Sequence, residues 1–367
     1  MASKKFHSYV NYCIIALVPI VICITLLWGV KETFEVFGVV IPTPDYIQYY
    51  ERDWAAVLNL QNPYPDCLYP PGFLIFSGFY YFHPLLPKVF FCLIWIITGL
   101  YLNKMCKEHD VSRKSTLYYV FALILFHPLY WGITVISGHY DVTVGLCVLL
   151  AVYGIDHSNQ LRSGIYSAFA FLLKFIGLIL IFPLVFLKKK INWRIGVIFI
   201  AICGGIYLIG YFLWGVAVFE PILIHIYREP EGGSIFTFIS DFLGIDSSLL
   251  IAMVLIAGMF VIAIFLYFQN TDICSFSLIL ILLFLLILPV VWLHYAAWFL
   301  PLAAYWSITH NGKLQGTIFY YHIGGLIAAL VSWFIATWLG AIIFFGSTAA
   351  FVFLIYLFRN KGEINKE

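Results

Sequence analysis

The run LILILLFLLILPVVWL, residues 278–293, contains no charged side chain and no regular polar position. Only α-helices and closed β-barrels satisfy every backbone hydrogen-bonding group in lipid. A membrane-spanning strand would alternate apolar and polar side chains with a period of two, and this run does not alternate. The run therefore predicts helices that cross a membrane.

The composition extends this prediction to the whole chain. The 367 residues are 63% hydrophobic and 10% charged, and the mean hydropathy is +0.97. A soluble domain has about 25% charged residues. We therefore expect an all-α polytopic membrane protein that forms a single domain over residues 1–367. The formal net charge of +2 argues against nucleic acid or another polyanion as partner.

About twelve membrane segments are expected, and the lipid bilayer is the first partner. A full crossing needs about 20 residues. The stretch 163–187 is interrupted by Lys174, so we interpret it as a short re-entrant pair that rises to Lys174 and returns. Residues from about 9 to 30 are long for a signal peptide and predict an uncleaved span. The other apolar runs are 84–103, 116–136, 142–155, 195–218, 248–268, 276–293, 295–309, 317–337 and 338–358.

The basic residues set the predicted orientation, because Lys and Arg are enriched in cytoplasmic loops. With both termini in the cytoplasm, 15 of the 20 Lys and Arg fall inside. The exceptions are Lys31, Arg52, Lys88, Lys174 and Arg228. We therefore expect a multi-pass membrane protein with its active site on the extracytoplasmic side.

The stretch from Pro44 to Gly72 is the longest polar interruption. Apolar residues spaced by three and four over 45–60 predict an amphipathic helix along the membrane surface, ending at Asn62-Pro63. Asp45 heads this helix. It is interpreted either as a helix N-cap or as a general base at the mouth of a cavity. The other carboxylates of the loop, Glu51, Asp53 and Asp66, are expected to be solvated or structural.

Four later positions have both a plain and a functional interpretation. Asp141, after His139, is an N-cap or part of an acceptor or metal site beside Asp45. Lys174 is a snorkelling lysine or a phosphate ligand, because a lysine among apolar residues usually faces a cavity or an anion. Arg228 is an exposed loop charge or an anion ligand. His294 is an interfacial histidine or part of the same anion site.

Taken together, these residues put acids, a lysine, an arginine and two histidines on one side of the membrane. That pattern fits an anionic, lipid-linked substrate whose leaving phosphate needs cations while an acid activates a hydroxyl. The sequence contains no GxGxxG, P-loop, HExxH or CxxC pattern. Nucleotide, zinc-protease and redox functions therefore lose support.

The order of the motifs over residues 10–310 resembles that of the GT-C glycosyltransferases. It is most similar to their prokaryotic branch of polyprenol-phosphate-mannose-dependent mannosyltransferases, and 311–358 would add C-terminal transmembrane helices. The residues that carry the resemblance are PDYIQYY (44–50), NPYPDCLYPPGF (62–73), GHYDVTVGLCVLLAVY (138–153), AFAFLLKFIGLILIFPLVF (168–186), EGGSIFTFISDFLG (231–244) and LPVVWLHYAAWFLP (288–301).

The resemblance implies roles for individual residues. Asp45 would be the catalytic base, and Lys174 and His294 would lie near the donor phosphate, where we also expect Arg228. His139 and Asp141 would lie near the acceptor, although this chain has His139-Tyr140 where Gln and Asn are frequent in the family. From the first loop, Tyr49 and Tyr69 are expected to contribute aromatic contacts.

The reaction that the resemblance implies is inverting transfer of a hexose from a polyprenyl-phosphate donor to a glycan or glycolipid acceptor. Mannose is the expected hexose. No metal ligand set is assigned and no cofactor is required, with a divalent cation (Mg²⁺ or Mn²⁺) left open. The alternatives are a lipid-linked sugar flippase or secondary transporter, and a non-catalytic subunit that binds a lipid-linked sugar. Transporters usually show internal repeats and polar residues at mid-membrane, and neither is evident here.

Overall fold

The chain is a helical membrane protein. The computed structural model describes residues 2–28, 33–36, 39–42, 49–65, 67–127, 130, 138–187, 190–227, 231–232, 248–269, 271–288, 290–291, 293–310 and 337–358. Within these residues, three helices are long and apolar enough to cross a membrane: Lys5–Leu26, Leu86–Glu108 and Trp193–Ile224. The count of about twelve segments and the orientation of the termini stay predictions.

The α-helices, in chain order, are α1 (Ala2–Trp28), α2 (Arg52–Leu58), α3 (Ser77–Phe82), α4 (Leu86–Glu108), α5 (Arg113–Leu117), α6 (Asp141–Asp156), α7 (Gln160–Lys174), α8 (Ile176–Val185), α9 (Trp193–Trp214), α10 (Glu220–Tyr227), α11 (Ser248–Phe268), α12 (Ile273–Ile287), α13 (Ala296–Thr309) and α14 (Thr337–Phe358). A π-helix continues α5 over Tyr118–Leu125. Short 3-10 helices span Pro71–Phe76, Gly215–Phe219 and Leu293–Tyr295.

Short strands make the fold less purely helical than expected. An antiparallel hairpin joins β1 (Thr33–Val36) to β2 (Val39–Pro42), because β-branched residues flank a short Phe-Gly connection. A second antiparallel pair joins β3 (Phe186–Leu187) to β4 (Lys190–Ile191). A third pair is parallel and joins β5 (Glu231–Gly232) to β6 (Val290–Val291). This last pair brings Glu231 and Gly232 beside Val290 and Val291, which precede His294 in the sequence.

Helix α6 lies at the centre of the described core. Nearly all of its side chains are buried, and it packs against both α7 and α13. The contact with α13 is so close that a Cβ at Gly145 would overlap the carbonyl oxygen of Ala297. Glycine is therefore required at this position for the two backbones to approach. As a result, the start of α6 and the start of α13 are held side by side.

The stretch 163–187 divides into two helices, as the interruption at Lys174 predicts. Helix α7 ends at Lys174, Phe175 has a φ of 27°, and α8 begins at Ile176. The two helices contact each other. The chain therefore turns at the lysine, while the re-entrant position of this pair in a membrane stays a prediction.

Within the described residues, the helix predicted for 45–60 ends at Leu58. Helix α2 follows a π-helical turn at residues 49–51, and residues 43–48 lie outside the described part. Trp54 is buried and stacks on Phe73, with ring centroids 5.3 Å apart. Leu58, the last residue of α2, comes before the predicted stop at Asn62-Pro63.

The amphipathic pattern misplaces one carboxylate of α2. Asp53 is only 1% exposed, so the expectation that it is solvated is wrong and the structural alternative holds. The Arg52 guanidinium donates from Nε and Nη2 to Asp53 Oδ1, at 2.9 and 2.8 Å. Burial and the Asp53 carboxylate raise the pKa of the neighbouring Cys67 thiol. Burial also raises the pKa of Glu51, and Asp66 lies outside the described residues.

Candidate functional site

Four of the predicted site residues meet at one point, although they are far apart in the sequence. We call His139, Asp141, Lys174 and His294 the outer cluster. His139 precedes α6, Asp141 is the first residue of α6, and Lys174 is the last residue of α7. His294 lies in the 3-10 turn Leu293–Tyr295 that leads into α13. The close packing of α6 against α7 and α13 therefore assembles the cluster from three helix ends.

Asp141 is the buried centre of the outer cluster, with 0% exposure. Its Oδ1 accepts a hydrogen bond from Trp298 Nε1 and lies 3.9 Å from Lys174 Nζ. Its Oδ2 accepts no hydrogen bond. The N-cap interpretation of Asp141 is wrong, because Tyr140 occupies the N-cap position and Asp141 is already helical. The carboxylate therefore faces the neighbouring helices, which suits an interaction with a ligand.

Lys174 does not snorkel, since its side chain is only 12% exposed. Its ammonium lies over four aromatic rings, at distances from Nζ to the ring centroids of 4.9 Å (Tyr69), 5.1 Å (Tyr295), 5.3 Å (Tyr140) and 5.8 Å (Trp298). Each such contact contributes about 0.5–2 kcal/mol, more when it is shielded from water. Together with Asp141, these rings keep a positive charge stable in a buried position.

The two histidines form a stacked pair. The ring centroids of His139 and His294 are 4.2 Å apart, with 16° between the planes. His139 Nδ1 is 3.1 Å from the hydroxyl of Tyr50 and 3.7 Å from Asp141 Oδ2. Tyr50 belongs to the first loop, five residues after Asp45 in the sequence. The loop thus reaches the outer cluster through a hydrogen bond.

Aromatic residues close the outer cluster on the side of the first loop. Tyr50, Tyr69, Phe73 and Tyr140 pack on one another with ring centroids 4.6 to 5.6 Å apart. The Tyr140 hydroxyl donates to the carbonyl oxygen of Leu173, at 3.1 Å, which ties the turn before α6 to the end of α7. These rings exclude water, so electrostatic interactions in the cluster are strong.

The described residues also form an apolar groove of about 270 Å³. Leu172, two residues before Lys174, is on its wall, together with Gly72 from the first loop. The far wall comes from α9 and includes Ile206, Leu213 and Trp214. The groove therefore offers an apolar chain a place to bind between the first loop, α7 and α9.

The remaining predicted residues have different outcomes. Tyr69 joins the outer cluster, whereas Tyr49 lies beside Arg52, with the guanidinium carbon 5.7 Å from the ring centroid. Asp45 and Arg228 lie outside the described residues. The sequence analysis assigned His139 and Asp141 to the acceptor and Lys174 and His294 to the donor. The geometry brings all four into one cluster rather than two.

Sequence reasoning missed four aromatic partners: Tyr50, Tyr140, Tyr295 and Trp298. One signal was available, because Tyr295 and Trp298 are three residues apart and so share a face at the start of a helix. Their rings stack with centroids 4.2 Å apart. No comparable spacing links Tyr50 to His139, since the hydrogen bond between them joins residues 89 positions apart.

No model of a protein family fits the chain, and no curated protein is significantly similar to it. The site must therefore be judged by its chemistry. It offers one ammonium, one buried carboxylate with an oxygen that accepts no hydrogen bond, and two imidazoles, and the protein also has an apolar groove. Such a set is suited to a ligand that has an anionic head and an apolar tail.

Proposed function

We propose that the protein transfers a hexose from a polyprenyl-phosphate donor to a hydroxyl of a glycan or lipid-linked acceptor, with mannose as the proposed hexose. The transfer takes place on the extracytoplasmic face and inverts the anomeric centre. The observation that carries the proposal is the buried outer cluster, which combines Lys174, Asp141 and two histidines in a helical membrane protein. Buried ionisable groups of this kind are costly and usually serve function.

The proposed chemistry is a single displacement. The Asp45 carboxylate takes the proton of the acceptor hydroxyl while the hydroxyl oxygen forms a bond to the anomeric carbon. The bond from that carbon to the phosphate oxygen breaks, and its electron pair leaves with the lipid phosphate. A positioned general base contributes about 10²–10⁴-fold. Only one base is needed, because an inverting displacement has no covalent enzyme intermediate.

In this proposal, the cationic residues stabilise the leaving phosphate. Lys174 and His294, together with Arg228, meet the charge that develops on the phosphate. Such contacts stabilise a transition state best where water is excluded, since their dipoles and charges are already oriented. The aromatic packing around Lys174 supports this assignment, because it limits water access to the ammonium.

The apolar groove supports a lipid-linked donor over a soluble one. Its wall of isoleucine, leucine and tryptophan side chains suits an isoprenoid chain, and Leu172 in this wall belongs to α7, the helix that ends at Lys174. A soluble nucleotide-sugar would have no use for such a groove. A polyprenyl-phospho-sugar would occupy the groove and the outer cluster at the same time.

The test is a transfer assay with purified protein in liposomes. A panel of polyprenyl-phospho-hexoses is supplied with candidate acceptors, and any new glycosidic bond is detected by mass spectrometry. We expect Asp45→Asn to lower turnover by about 10²-fold or more. Glu51→Gln, in the same loop, is the control and should stay close to wild type.

Two results would overturn the proposal. Wild-type turnover in Asp45→Asn would remove the base assignment. Movement of the donor across the bilayer with no new glycosidic bond, for every donor in the panel, would favour the flippase or transporter alternative instead.

A further inference from the structure

We propose that His139, Asp141 and His294 bind one divalent transition-metal ion, with Zn²⁺ as the reference ion. One ligand atom from each of the three residues can be chosen so that all three atoms lie within 4.8 Å of one another. The residues come from the turn before α6, the first position of α6 and the turn before α13. A bound ion would therefore connect segments that are distant in the sequence.

The first support is the unused oxygen of Asp141. This carboxylate is completely buried, yet its Oδ2 accepts no hydrogen bond. A buried polar atom without a partner costs free energy, and in native proteins such an atom calls for a specific explanation. Trp298 and Lys174 both interact with Oδ1. Among the described residues, Oδ2 has only the contact with His139 Nδ1, at 3.7 Å, and a metal ion there would supply a direct bond without disturbing either contact of Oδ1.

The second support is the chemistry of the ligand set. Two imidazoles and one carboxylate are a set that catalytic zinc sites and non-haem iron sites use, with further positions left for water or substrate. Mg²⁺ and Ca²⁺ prefer oxygen ligands and are poorly served by two imidazoles. The set therefore favours a transition metal over Mg²⁺.

Binding the ion requires a defined rearrangement. The imidazoles are stacked, with centroids 4.2 Å apart and 16° between the planes. A metal lies close to the plane of an imidazole that binds it, so one of the two rings has to leave the stack. His139 is buried and would exchange the hydrogen bond between its Nδ1 and the Tyr50 hydroxyl for the ion, whereas His294 is less buried and lies on a three-residue turn. His294 is therefore the ring that turns.

The distances are compatible with this rearrangement. Ligand atoms in a tetrahedral zinc site lie about 3.3 Å apart, given Zn–N and Zn–O distances of about 2.0–2.1 Å. His139 Nδ1 and Asp141 Oδ2 are already 3.7 Å apart. The three ligand atoms lie within 4.8 Å of one another, so rotation of His294 has to bring its ligand atom closer by at most about 1.5 Å, which a side chain can do without a change in the fold.

The metal would also change the charge of the outer cluster. Without it, the Asp141 carboxylate offsets part of the positive charge that the Lys174 ammonium presents to a phosphate. With it, the cluster has an excess positive charge and an open coordination position for a phosphate oxygen. This consequence rests on the proposed function, whereas metal binding itself does not.

The experiment measures metal binding in the absence of substrate. Full-length protein is purified in detergent with a tag that contains no histidine, stripped with a chelator and loaded with Co²⁺. We expect one Co²⁺ per chain by elemental analysis, the visible d–d absorption of a low-symmetry site, and displacement by Zn²⁺ but not by Mg²⁺. His294→Ala and Asp141→Asn should lose this absorption.

His157→Ala is the matched control, because His157 also lies beside a carboxylate, with its Nε2 3.6 Å from Glu108 Oε2. It should bind Co²⁺ like the wild type. Gel filtration and thermal unfolding check that each variant is folded, and His294→Ala is a second test at a less buried residue than Asp141. The absence of stoichiometric Co²⁺ in the wild type would overturn the proposal. Binding of Co²⁺ by His294→Ala and Asp141→Asn at the wild-type level would overturn it as well.

Transfer assays with stripped protein separate the two proposals. Full transfer by protein that binds no Co²⁺ would overturn the metal site and leave the proposed function intact. Stoichiometric Co²⁺ in a protein that forms no glycosidic bond would support the metal site and count against the proposed function.

Discussion

The two ends of α6 carry similar residues in different states. At the outer end, Asp141 lies beside two histidines and Lys174, fully buried and with one oxygen unused. At the other end, Asp156 accepts a hydrogen bond from the Tyr305 hydroxyl, at 2.8 Å. The carboxylate of Glu108 accepts from the Tyr153 hydroxyl, at 2.7 and 3.0 Å. We call Glu108, Tyr153, Asp156, His157 and Tyr305 the inner cluster.

The outer and inner clusters differ in hydrogen bonding and in solvent exposure, not in residue type. The inner cluster is partly open to solvent, since the His157 side chain is 45% exposed, and tyrosine hydroxyls serve both of its carboxylates. Such contacts fasten helix ends together. The outer cluster keeps a carboxylate oxygen buried without a hydrogen bond, a local cost that native proteins tend to accept where a ligand binds. Matched substitutions at the two ends of α6 test this contrast.

The largest difference in transfer rate is expected between the variants Lys174→Met and Lys104→Met. Loss of the buried ammonium should lower transfer by about 10²–10³-fold, because an oriented charge next to the leaving group is removed. Lys104 is 53% exposed and 3.7 Å from Glu108, so its loss should leave transfer unchanged and cost less than about 1 kcal/mol. Steady-state transfer rates and thermal unfolding measure both effects.

A double variant separates folding from function in this comparison. Lys174→Met alone leaves the Asp141 charge buried without its cation, which destabilises by about 3–5 kcal/mol. Lys174→Met with Asp141→Asn removes both charges and should recover much of the stability but none of the transfer activity. Recovery of transfer in the double variant would contradict a direct role for the lysine.

The next contrast uses two donors from the same helix, α13. Trp298→Phe removes the hydrogen bond to Asp141, and Tyr305→Phe removes the one to Asp156. A hydrogen bond to a charged group contributes about 1.5–3 kcal/mol. We expect Trp298→Phe to lower transfer by about 10-fold or more and Tyr305→Phe to leave transfer intact. Equal losses in the two variants would mean that the ends of α6 do not differ in function.

A third contrast concerns packing along α6. A Cβ at Gly145 would overlap the carbonyl oxygen of Ala297, whereas a Cβ at Gly154 would be 2.7 Å from Ser163 Oγ. A backbone group cannot move aside as a hydroxyl can, and overpacking costs about 1–3 kcal/mol. Gly145→Ala should therefore lower the unfolding temperature more than Gly154→Ala does. The reverse order would show that α6 and α13 are less closely packed than described.

The smallest effect is expected from labelling in the first loop. Leu60 is 94% exposed, while Cys67 is buried and its pKa is raised. In intact cells, a membrane-impermeant maleimide should label Leu60→Cys, because this loop is predicted to face outward, and transfer should not change. The wild-type protein should not be labelled at Cys67. Labelling only after cell lysis would instead place the first loop in the cytoplasm and reverse the predicted orientation.

Much of the helical architecture follows from the sequence. Apolar runs predict the long helices, and the single lysine within 163–187 predicts the division between α7 and α8, because a charge in such a run marks an end or a functional position. The hairpin of β1 and β2 was missed, since its strands are four residues each. The burial of Asp53 was also missed, because periodicity assigns a carboxylate to the polar face of a helix.

The site was only partly predictable. His139, Asp141, Lys174 and His294 could be singled out as polar residues in apolar surroundings, which is a local signal. Their arrangement in one cluster depends on how α6, α7 and α13 pack. No local sequence pattern predicts this packing. The stack of His139 on His294 joins residues more than 150 positions apart, so sequence spacing contains no sign of it.

The two charges of the Asp141–Lys174 ion pair are also arranged in a fixed direction relative to the helix dipoles. Asp141 opens α6 and Lys174 closes α7, so each charge is at the helix end whose macrodipole favours it. The positive end of one dipole and the negative end of the other meet at the cluster. Exchanging the two residues would preserve the pair but oppose both dipoles. A swapped pair is therefore not equivalent, and only one orientation of the two charges suits this junction of helices.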